Sequence, residues 1–596
     1  MKNKLNFIIQ IIKQLNYILN RRQKKTCIWV FVSMLLCSIL ELIGVTVIYP
    51  FIDIILYQDT LKEKSYLSFL YMLKPDISSK NVIIIVGIGI VLIYIVKNIL
   101  MIASAYLQNY FAARVERDLS THMLKAFMRR PYQFFLNTNS GVVIRGISTD
   151  SQGVYKLLIA LFELLSSTIT VVILGILLLV TDFGMAVGAL ILCGLCFIAV
   201  LTTFKGRMKK AGVDIRASQA KKYQYATQAV MGIKEIIVTD RVESFVEQYE
   251  EVAIINQHAT HTHGFVNACP KRIIEGVCIG GFIGIICVRV FSGADIAAFV
   301  PILGMFAMSA FKILPAVSAM SSQLATIIFY KEHLQGVYEN LKSSNAYEQE
   351  LRLLEDKMVV NETKEIKFEN LLKISNIKWK YLNAPNYVLD ELSLEIKKGE
   401  SVAFIGASGA GKTTLADVIM GLLPPQSGCV CMDGVDILTI KKQWAKIIGY
   451  VPQTVFLIDD TIRNNVAFGM KDDEISDKKV WDALEQAQLK GFVESLPEGL
   501  DTIVGERGVK FSGGQRQRVA IARALYETPD ILIFDEATSA LDGETEEAVM
   551  QSIDALQGHI TLIIVAHRLT TIRNCDKIYE ISNGKAVLKR KEEIFR

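Results

Sequence analysis

The sequence predicts two fold classes in one chain. The first is a membrane α-helical domain of six transmembrane helices with long cytoplasmic extensions. The second is an α/β P-loop nucleotide-binding domain. Three observations carry this prediction. Six apolar segments approach the ~20 residues that cross a bilayer. A glycine-rich octapeptide, Gly406 to Thr413, stands between an apolar strand and an apolar helix. From Phe368 onward, short β-rich runs alternate with helical ones. The 596 residues are 51% hydrophobic and 21% charged, and the mean hydropathy is +0.34. Those values exclude a purely soluble enzyme and a disordered or collagen-like chain. A net charge of +5 makes no case for nucleic acid. The ten cysteines form no evenly spaced framework, and several lie inside apolar runs, so they read as small buried hydrophobes.

Residues 1–25 carry seven lysines and arginines around an amphipathic core and show no cleavable signal. They read as a cytoplasmic helix lying on the membrane surface, with a solvated basic tail as the alternative. The predicted spans are Ile28 to Leu56, Val82 to Leu107, Leu157 to Val180, Gly184 to Phe204, Ile273 to Phe291 and Ile296 to Ser318. Two connections, Ala113 to Lys156 and Lys205 to Arg272, are long, basic and helical in pattern, so they belong to the cytoplasm with both termini. The domains are then residues 1–25, a membrane domain over 26–342, a linker over 343–367 and the nucleotide-binding domain over 368–596.

Gly406, Ala407, Ser408, Gly409, Ala410, Gly411, Lys412 and Thr413 form a phosphate-binding loop that opens the helix at Thr414. Its glycines turn backbone N–H groups toward phosphate, Lys412 reaches the β and γ oxygens, and the Thr413 hydroxyl suits Mg²⁺. The run Ile531 to Glu536 is a buried strand ending in two carboxylates. Asp535 is placed to hold Mg²⁺ and Glu536 to act as general base toward water.

Phe511-Ser512-Gly513-Gly514-Gln515 resembles the signature motif of ATP-binding cassette proteins, and further cassette elements follow in order. The resemblance implies that Tyr381 stacks on adenine and that Gln453 senses metal and water. It also implies that Ser539 to Asp542 crosses a dimer interface and that His567 contacts the γ-phosphate. Thr502 to Gly508 resembles the stretch found before the signature in exporters. Phe511 departs from the usual leucine. A signature helix end cannot fold back on its own P-loop, so ATP is expected between two cassettes, which makes the chain half of a homodimer.

A cassette behind six spans resembles ATP-driven exporters, with Pro131 to Phe135, Gly141 and Asp150 like the first cytoplasmic connection and Gly232 to Glu250 like the second. Charges inside spans are costly and mark substrate sites by default. Lys97, Lys271 and Lys312 are expected to face an inward cavity and to suit an anionic headgroup such as a diphosphate. The alternatives are snorkelling to the interface for Lys271 and Lys312, and pairing with Glu41, Glu163 or Glu275 for Lys97. Segments around Ser38 to Ile52, Pro270 to Gly276 and Phe311 to Pro315 look like the lipid-linked oligosaccharide flippases. That resemblance implies ATP-driven movement of a polyprenyl-diphosphate glycan from the cytoplasmic to the outer leaflet, in a bacterial inner membrane. The other readings are export of drugs, lipids or peptides, and an ATP-gated channel or regulator. Tyr66 to Leu73 reads either as an interfacial helix or as internal packing. His258, His261 and His263 are poorly phased for metal on one helix, and Cys429 and Cys431 read as strand residues.

Overall fold

The computed structural model describes residues 2–56, 72, 78–181, 183–291, 296–357, 366–382, 384–536, 543–566, 568 and 570–595. The chain divides into two units, one of Met1–Arg130 and Asn137–Glu348, the other of Pro131–Leu136 and Gln349–Arg596.

The first unit is helical throughout. Helix α1 (Lys2–Ile18) is followed by α2 (Arg21–Thr46) and α3 (Ile48–Leu56). Next come α4 (Ser79–Met128), the short α5 (Tyr132–Leu136, which groups with the second unit) and α6 (Ser140–Ile147). The rest are α7 (Thr149–Thr181), α8 (Phe183–Met231), α9 (Ile233–Val238), α10 (Val242–Phe291) and α11 (Ile296–Lys357). Asn20 separates α1 from α2 with a capping box to Gln23. The single predicted first span is two helices. Pro50 has no N–H to donate to the Thr46 carbonyl, so the helical ladder breaks there.

The extensions expected from the basic connections take the form of unbroken helices. α4 has 50 residues, about 75 Å at the helical rise, against a hydrocarbon core of ~30 Å. Its apolar first half and charged second half therefore face different media. Ile84, Ile88, Leu92, Ile95 and Ile99 on that first half are exposed, as a lipid-facing surface requires. Among the described residues, five helices are long and apolar enough to cross a membrane, and they carry the predicted spans other than Ile273 to Phe291. That segment forms the C-terminal part of α10, and part of its side chains lie outside the described residues. α11 runs on to Lys357, through most of the stretch expected to be a linker. Of the predicted outer segment Tyr66 to Leu73, only Met72 is described.

The second unit is built on two sheets. One has the order β2-β1-β4-β5, from β1 (Leu371–Trp379), β2 (Leu389–Lys397), β4 (Ser427–Met432) and β5 (Val435–Asp436). The other has the order β10-β9-β3-β8-β7-β6, from β3 (Ser401–Ile405), β6 (Ile448–Val451), β7 (Ile531–Asp535), β8 (Thr561–Val565), β9 (Lys577–Ser582) and β10 (Lys585–Lys589). Strands β6, β7, β8, β3 and β9 run parallel. β7 and β8 are buried along their whole length, so they read as unbroken apolar runs rather than alternating ones. The helix α12 (Lys412–Ile419) packs with one core, through Leu415 and Ile419, and α13 (Gly513–Leu525) with the other, through Val519 and Ile521.

Candidate functional site: an ATP-binding cassette and the buried charges of the helical unit

Parallel strands deliver their C-terminal ends to one edge of a sheet, and in open α/β sheets that edge is where ligands sit. Here β3 leads into Gly406, β6 into Gln453 and β7 into Glu536. The topology thus gathers residues scattered over more than half of the domain's length.

The loop between β3 and α12 turns through Gly406, Gly409 and Gly411, with φ of 144°, 80° and 100°. Those angles suit glycine alone, and a Cβ at Gly411 would also meet Val388 at 2.9 Å. Lys412 is buried, and its Nζ donates to the carbonyls of Gly406 at 2.9 Å and Ala407 at 3.1 Å. Burial pulls its pKa below the ordinary lysine value, while the Glu536 and Asp535 charges oppose that shift. Tyr381 packs edge-on against Trp379, and its hydroxyl lies 3.3 Å from Thr414 Oγ1, which holds the ring beside the start of α12. Ser408 and Ala410 lie in the same turn, with Ala410 packed against the α12 core.

The Thr413 hydroxyl donates to Asp535 Oδ1 over 3.4 Å. Gln453 Nε2 donates to Glu536 Oε2 over 2.7 Å. Glu536 has a φ of 48°, a left-handed conformation that strains a non-glycine residue and is typical of functional turns. Two neighbours escaped the sequence reading. Burial and then the Asp535 charge push the Asp417 carboxyl up to about 6. Burial and then Asp535 also push the Tyr450 phenol above its usual range. The carboxylates therefore sit in a field that favours a cation. Thr413, Gln453 and Asp535 supply hard oxygen donors of the kind that Mg²⁺ takes. Period and propensity carry no sign of Asp417 or Tyr450, because both act through tertiary proximity.

Ser512 caps α13: its hydroxyl accepts from Gln515 N at 3.2 Å, and Gln515 Oε1 accepts from Ser512 N at 2.9 Å. Gly513 and Gly514 form the first turn, so the amide-rich end of α13 is locked in a capping box. Phe511 is buried edge-on against Phe492, which accommodates the departure from leucine inside the core. Asp542 and His567 lie outside the described residues. Cys429 and Cys431 are free thiols on β4, with sulfurs 3.4 Å apart. Burial and the neighbouring thiol push Cys431 up to about 11.

The three lysines of the helical unit are not gathered into one open site. Lys97 on α4 is 2% exposed and gives its charge to Glu41 Oε2 of α2 at 2.9 Å. Lys312 on α11 holds the other oxygen, Glu41 Oε1, at 2.8 Å. Tyr94 lies under Lys97 with its ring centroid at 4.5 Å and donates from its hydroxyl to the Gly44 carbonyl. The expectation that Lys97 opens into a cavity is corrected. A lone ammonium among apolar helices is too costly, so it is paired with the one nearby carboxylate. Lys271 is exposed on α10, and nearby Glu275 pairs with Arg272 at 3.6 Å. His263 stacks on Phe329 at 4.2 Å, and among the described residues no group of three His, Cys, Asp or Glu is set to hold a metal.

A second buried ionic group went unread. Asp150 of α7 is fully buried and accepts from Arg216 Nε and Nη2 of α8 at 3.2 and 3.1 Å. His333 Nδ1 of α11 lies 2.9 Å from it, and Arg145 Nε of α6 lies 3.6 Å away. Small residues make room: a Cβ at Gly153 would stand 2.6 Å from His333, and one at Gly336 would overlap the Arg216 guanidinium.

Comparison with known proteins agrees with this geometry. Residues 389–539 match the family model described as ABC transporter, and residues 27–288 match that of the ABC transporter transmembrane region. A protein named heterocyst differentiation ATP-binding protein HepA, from Nostoc, is 30% identical over 76% of this chain and 72% of its own. An ATP-dependent lipid A-core flippase of Syntrophus aciditrophicus is 29% identical over 84% of this chain and 82% of its own. A solved structure of a bacterial Atm1-family ABC exporter with ATP bound superposes with a TM-score of 0.75 at 23% identity, covering 97% of both chains, and shows the shared exporter fold. With strand ends, P-loop, signature cap and both family models in agreement, the chain belongs to the ATP-binding cassette transporter family and couples ATP hydrolysis to transport.

Proposed function

We propose that this chain is an ATP-driven flippase that moves a lipid-linked, negatively charged saccharide, a polyprenyl-diphosphate oligosaccharide, from the cytoplasmic to the outer leaflet. The observation that carries this reading is the similarity over most of the chain to proteins named lipid A-core flippases. The cargo in those names is a lipid and not a soluble solute. The same similarity favours a second cargo of the same broad kind, a lipid A-core glycolipid. In support of an anionic headgroup, the Lys97–Glu41–Lys312 group carries one more positive than negative charge within the helical unit. Of its two cations, Lys312 is the accessible one, at 29% side-chain exposure against 2%. The headgroup contact is therefore assigned to Lys312, with Lys271 nearer the cytoplasmic surface and Lys97 as support. Lysine offers charge without the planar fork of arginine, so selection among phosphates is by charge more than by shape.

In the nucleotide site, Gly406 to Thr413 cradle the phosphates with backbone N–H groups. Lys412 leaves its two carbonyls for the β and γ oxygens, and Tyr381 lies under the base. Thr413, Gln453 and Asp535 would hold Mg²⁺, which when bound neutralises phosphate charge. Glu536, held by Gln453, polarises the attacking water, and His567 contacts the γ-phosphate. Ser512, Gly513, Gly514 and Gln515 of a second copy close the site from the other side, with Asp542 at the seam, so the working unit is a homodimer. ATP closes the pair of cassettes, and hydrolysis reopens them. The dimer works in a bacterial inner membrane with both termini in the cytoplasm.

The test is flipping in proteoliposomes of a polyprenyl-diphosphate glycan and, separately, of a lipid A-core glycolipid. Wild type, Glu536→Gln and Lys312→Ala are compared. The reading expects ATP-dependent flipping of the diphosphate glycan by wild type, none by Glu536→Gln and a reduced rate in Lys312→Ala. Flipping of the glycolipid alone assigns the second cargo. ATP turnover that moves neither overturns the flippase reading.

A further inference from the structure

The helical unit holds a half-open cavity of about 630 Å³ bounded by four elements. Its walls include Ile11 and Leu15 of α1, Phe31 of α2, Leu161 and Leu165 of α7, and Ile327 of α11. That size falls within the roughly 300–1,000 Å³ of small-molecule sites. Only Asn16, Lys24 and Thr168 bring a polar side chain to it, apart from the Cys27 thiol. Water needs two to four polar partners to settle in such a space, and these walls do not supply them through most of the volume. The cavity therefore requires an apolar occupant.

The walls are also braced against collapse. Lys331 Nζ donates to Gln10 Oε1 at 3.1 Å, and Gln10 and Gln14 donate to Gln335. Tyr17 packs edge-on against Tyr338 and accepts from Asn345 at 2.8 Å. These contacts clamp α1 along the charged part of α11. The Asn20–Gln23 capping box then sets the bend into α2, and Gln23 donates onward to Asp118 of α4 at 3.1 Å. The bend holds α1 away from the apolar face of α7 by the width of the cavity.

Charge selects the occupant. Lys24 lines the cavity and makes no ion pair among the described residues, and Arg21, Arg22 and Lys25 surround it in sequence. Neither α1 nor α2 has an acidic residue in its first turn. A basic residue at the edge of an apolar cavity, with three more beside it in sequence and in a chain whose neighbouring helices cross a membrane, matches one chemistry: an acyl chain inside and an anionic headgroup outside. We propose that this cavity is a binding site for an anionic phospholipid of the leaflet that α1 contacts, one acyl chain filling it and the phosphate lying against Lys24. The site is independent of the transported cargo. It ties α1 to α2, α7 and α11 through a lipid, so the packing of α1 follows the lipid composition of the membrane.

The test is native mass spectrometry of the full-length detergent-purified protein, incubated with palmitoyl-oleoyl phosphatidylglycerol or with its phosphatidylcholine counterpart. Wild type is expected to retain phosphatidylglycerol at one per chain and to prefer it to phosphatidylcholine by about fivefold for each basic residue engaged. The double substitution Leu161→Trp, Leu165→Trp, which fills the cavity, is expected to abolish retention of both lipids, with ATP hydrolysis unchanged as evidence of folding. Lys24→Glu is expected to keep acyl-chain binding and lose the preference for phosphatidylglycerol. Equal retention of the two lipids by wild type, or retention by the filled variant equal to wild type, overturns the proposal. So does a wild type that holds no lipid.

Discussion

In the proposed cycle, Glu536 and Lys412 are the residues whose removal is expected to separate binding from turnover. Glu536 takes an amide hydrogen bond from Gln453 and sits at a strained φ of 48° at the end of β7. Glu536→Gln preserves shape and loses the base, so ATP hydrolysis is expected to fall by about 10²–10⁴-fold while nucleotide affinity is retained. Lys412→Ala is expected to do the reverse at the first step: binding of a fluorescent ATP analogue falls, because the loop loses the cation that Gly406 and Ala407 now hold in place. An unchanged affinity in Lys412→Ala would remove the lysine from the phosphate site. Both residues stand out in the sequence, since each belongs to a contiguous motif run, and the structure sets both beside strand ends of one parallel sheet. Asp417 and Tyr450 do not, because what links them to Asp535 is the parallel packing of β6, β7 and α12, which no local spacing encodes.

At the scale of elements, the two buried ionic groups decide how the long helices meet. Asp150 draws together α6, α7, α8 and α11 through Arg145, Arg216 and His333. Asp150→Asn leaves cationic groups buried without their counter-charge, and a loss of about 3–5 kcal/mol in stability is expected. Thermal unfolding of the detergent-solubilised protein reads it as a lowered Tm, and an unshifted Tm would mean that the network carries no such energy. Gly336→Ala tests the same joint sterically. Its Cβ overlaps the Arg216 guanidinium, so about 1–3 kcal/mol of destabilisation is expected on the same measurement. The Lys97–Glu41–Lys312 group joins α2, α4 and α11 in the same way. Glu41→Gln is expected to lower the Tm more than Lys312→Ala does, because it strands the 2%-exposed Lys97 whereas Lys312 is 29% exposed. For that reason a transport defect in Lys97→Ala speaks to folding, while one in Lys312→Ala speaks to cargo. The sequence marked the lysines as expensive charges but left the partner of Lys97 open among three glutamates. The choice depends on helix rotation, which the flat apolar pattern of α4 does not set.

For the whole molecule, the half-transporter family typically functions as a dimer, and in our proposal ATP hydrolysis is a property of such a pair. The signature end of α13 is built and capped, yet the partner P-loop it closes is that of a second copy in our proposal. ATPase activity is accordingly expected to fall more steeply than in proportion on dilution below the dimer's dissociation range. Mixing wild type with excess Glu536→Gln is expected to poison the wild-type sites. Strictly additive activity in that mixture would mean that each chain works alone. The helix lengths bear on the same scale. α4, α8, α10 and α11 have 49 to 62 residues, each roughly twice or more what a bilayer needs, so each extends well beyond the hydrocarbon core.

The sequence by itself determined the division into a membrane half and a nucleotide half, the positions of five of the six predicted spans and the glycine turns of the loop from Gly406 to Thr413. A span is a run of apolar residues and a P-loop is a run of backbone turns, so both are written consecutively along the chain. It also placed the strand ends that meet at the ATP site, since each ends in its own motif. Only the tertiary structure decided that Lys97 answers to Glu41, 56 residues away, and Asp150 to His333, 183 residues away. It alone showed that α1 stands off α7 across an apolar cavity. Buried charge and buried volume are settled by whichever side chains the packing of helices brings opposite one another, and that apposition has no period in the sequence.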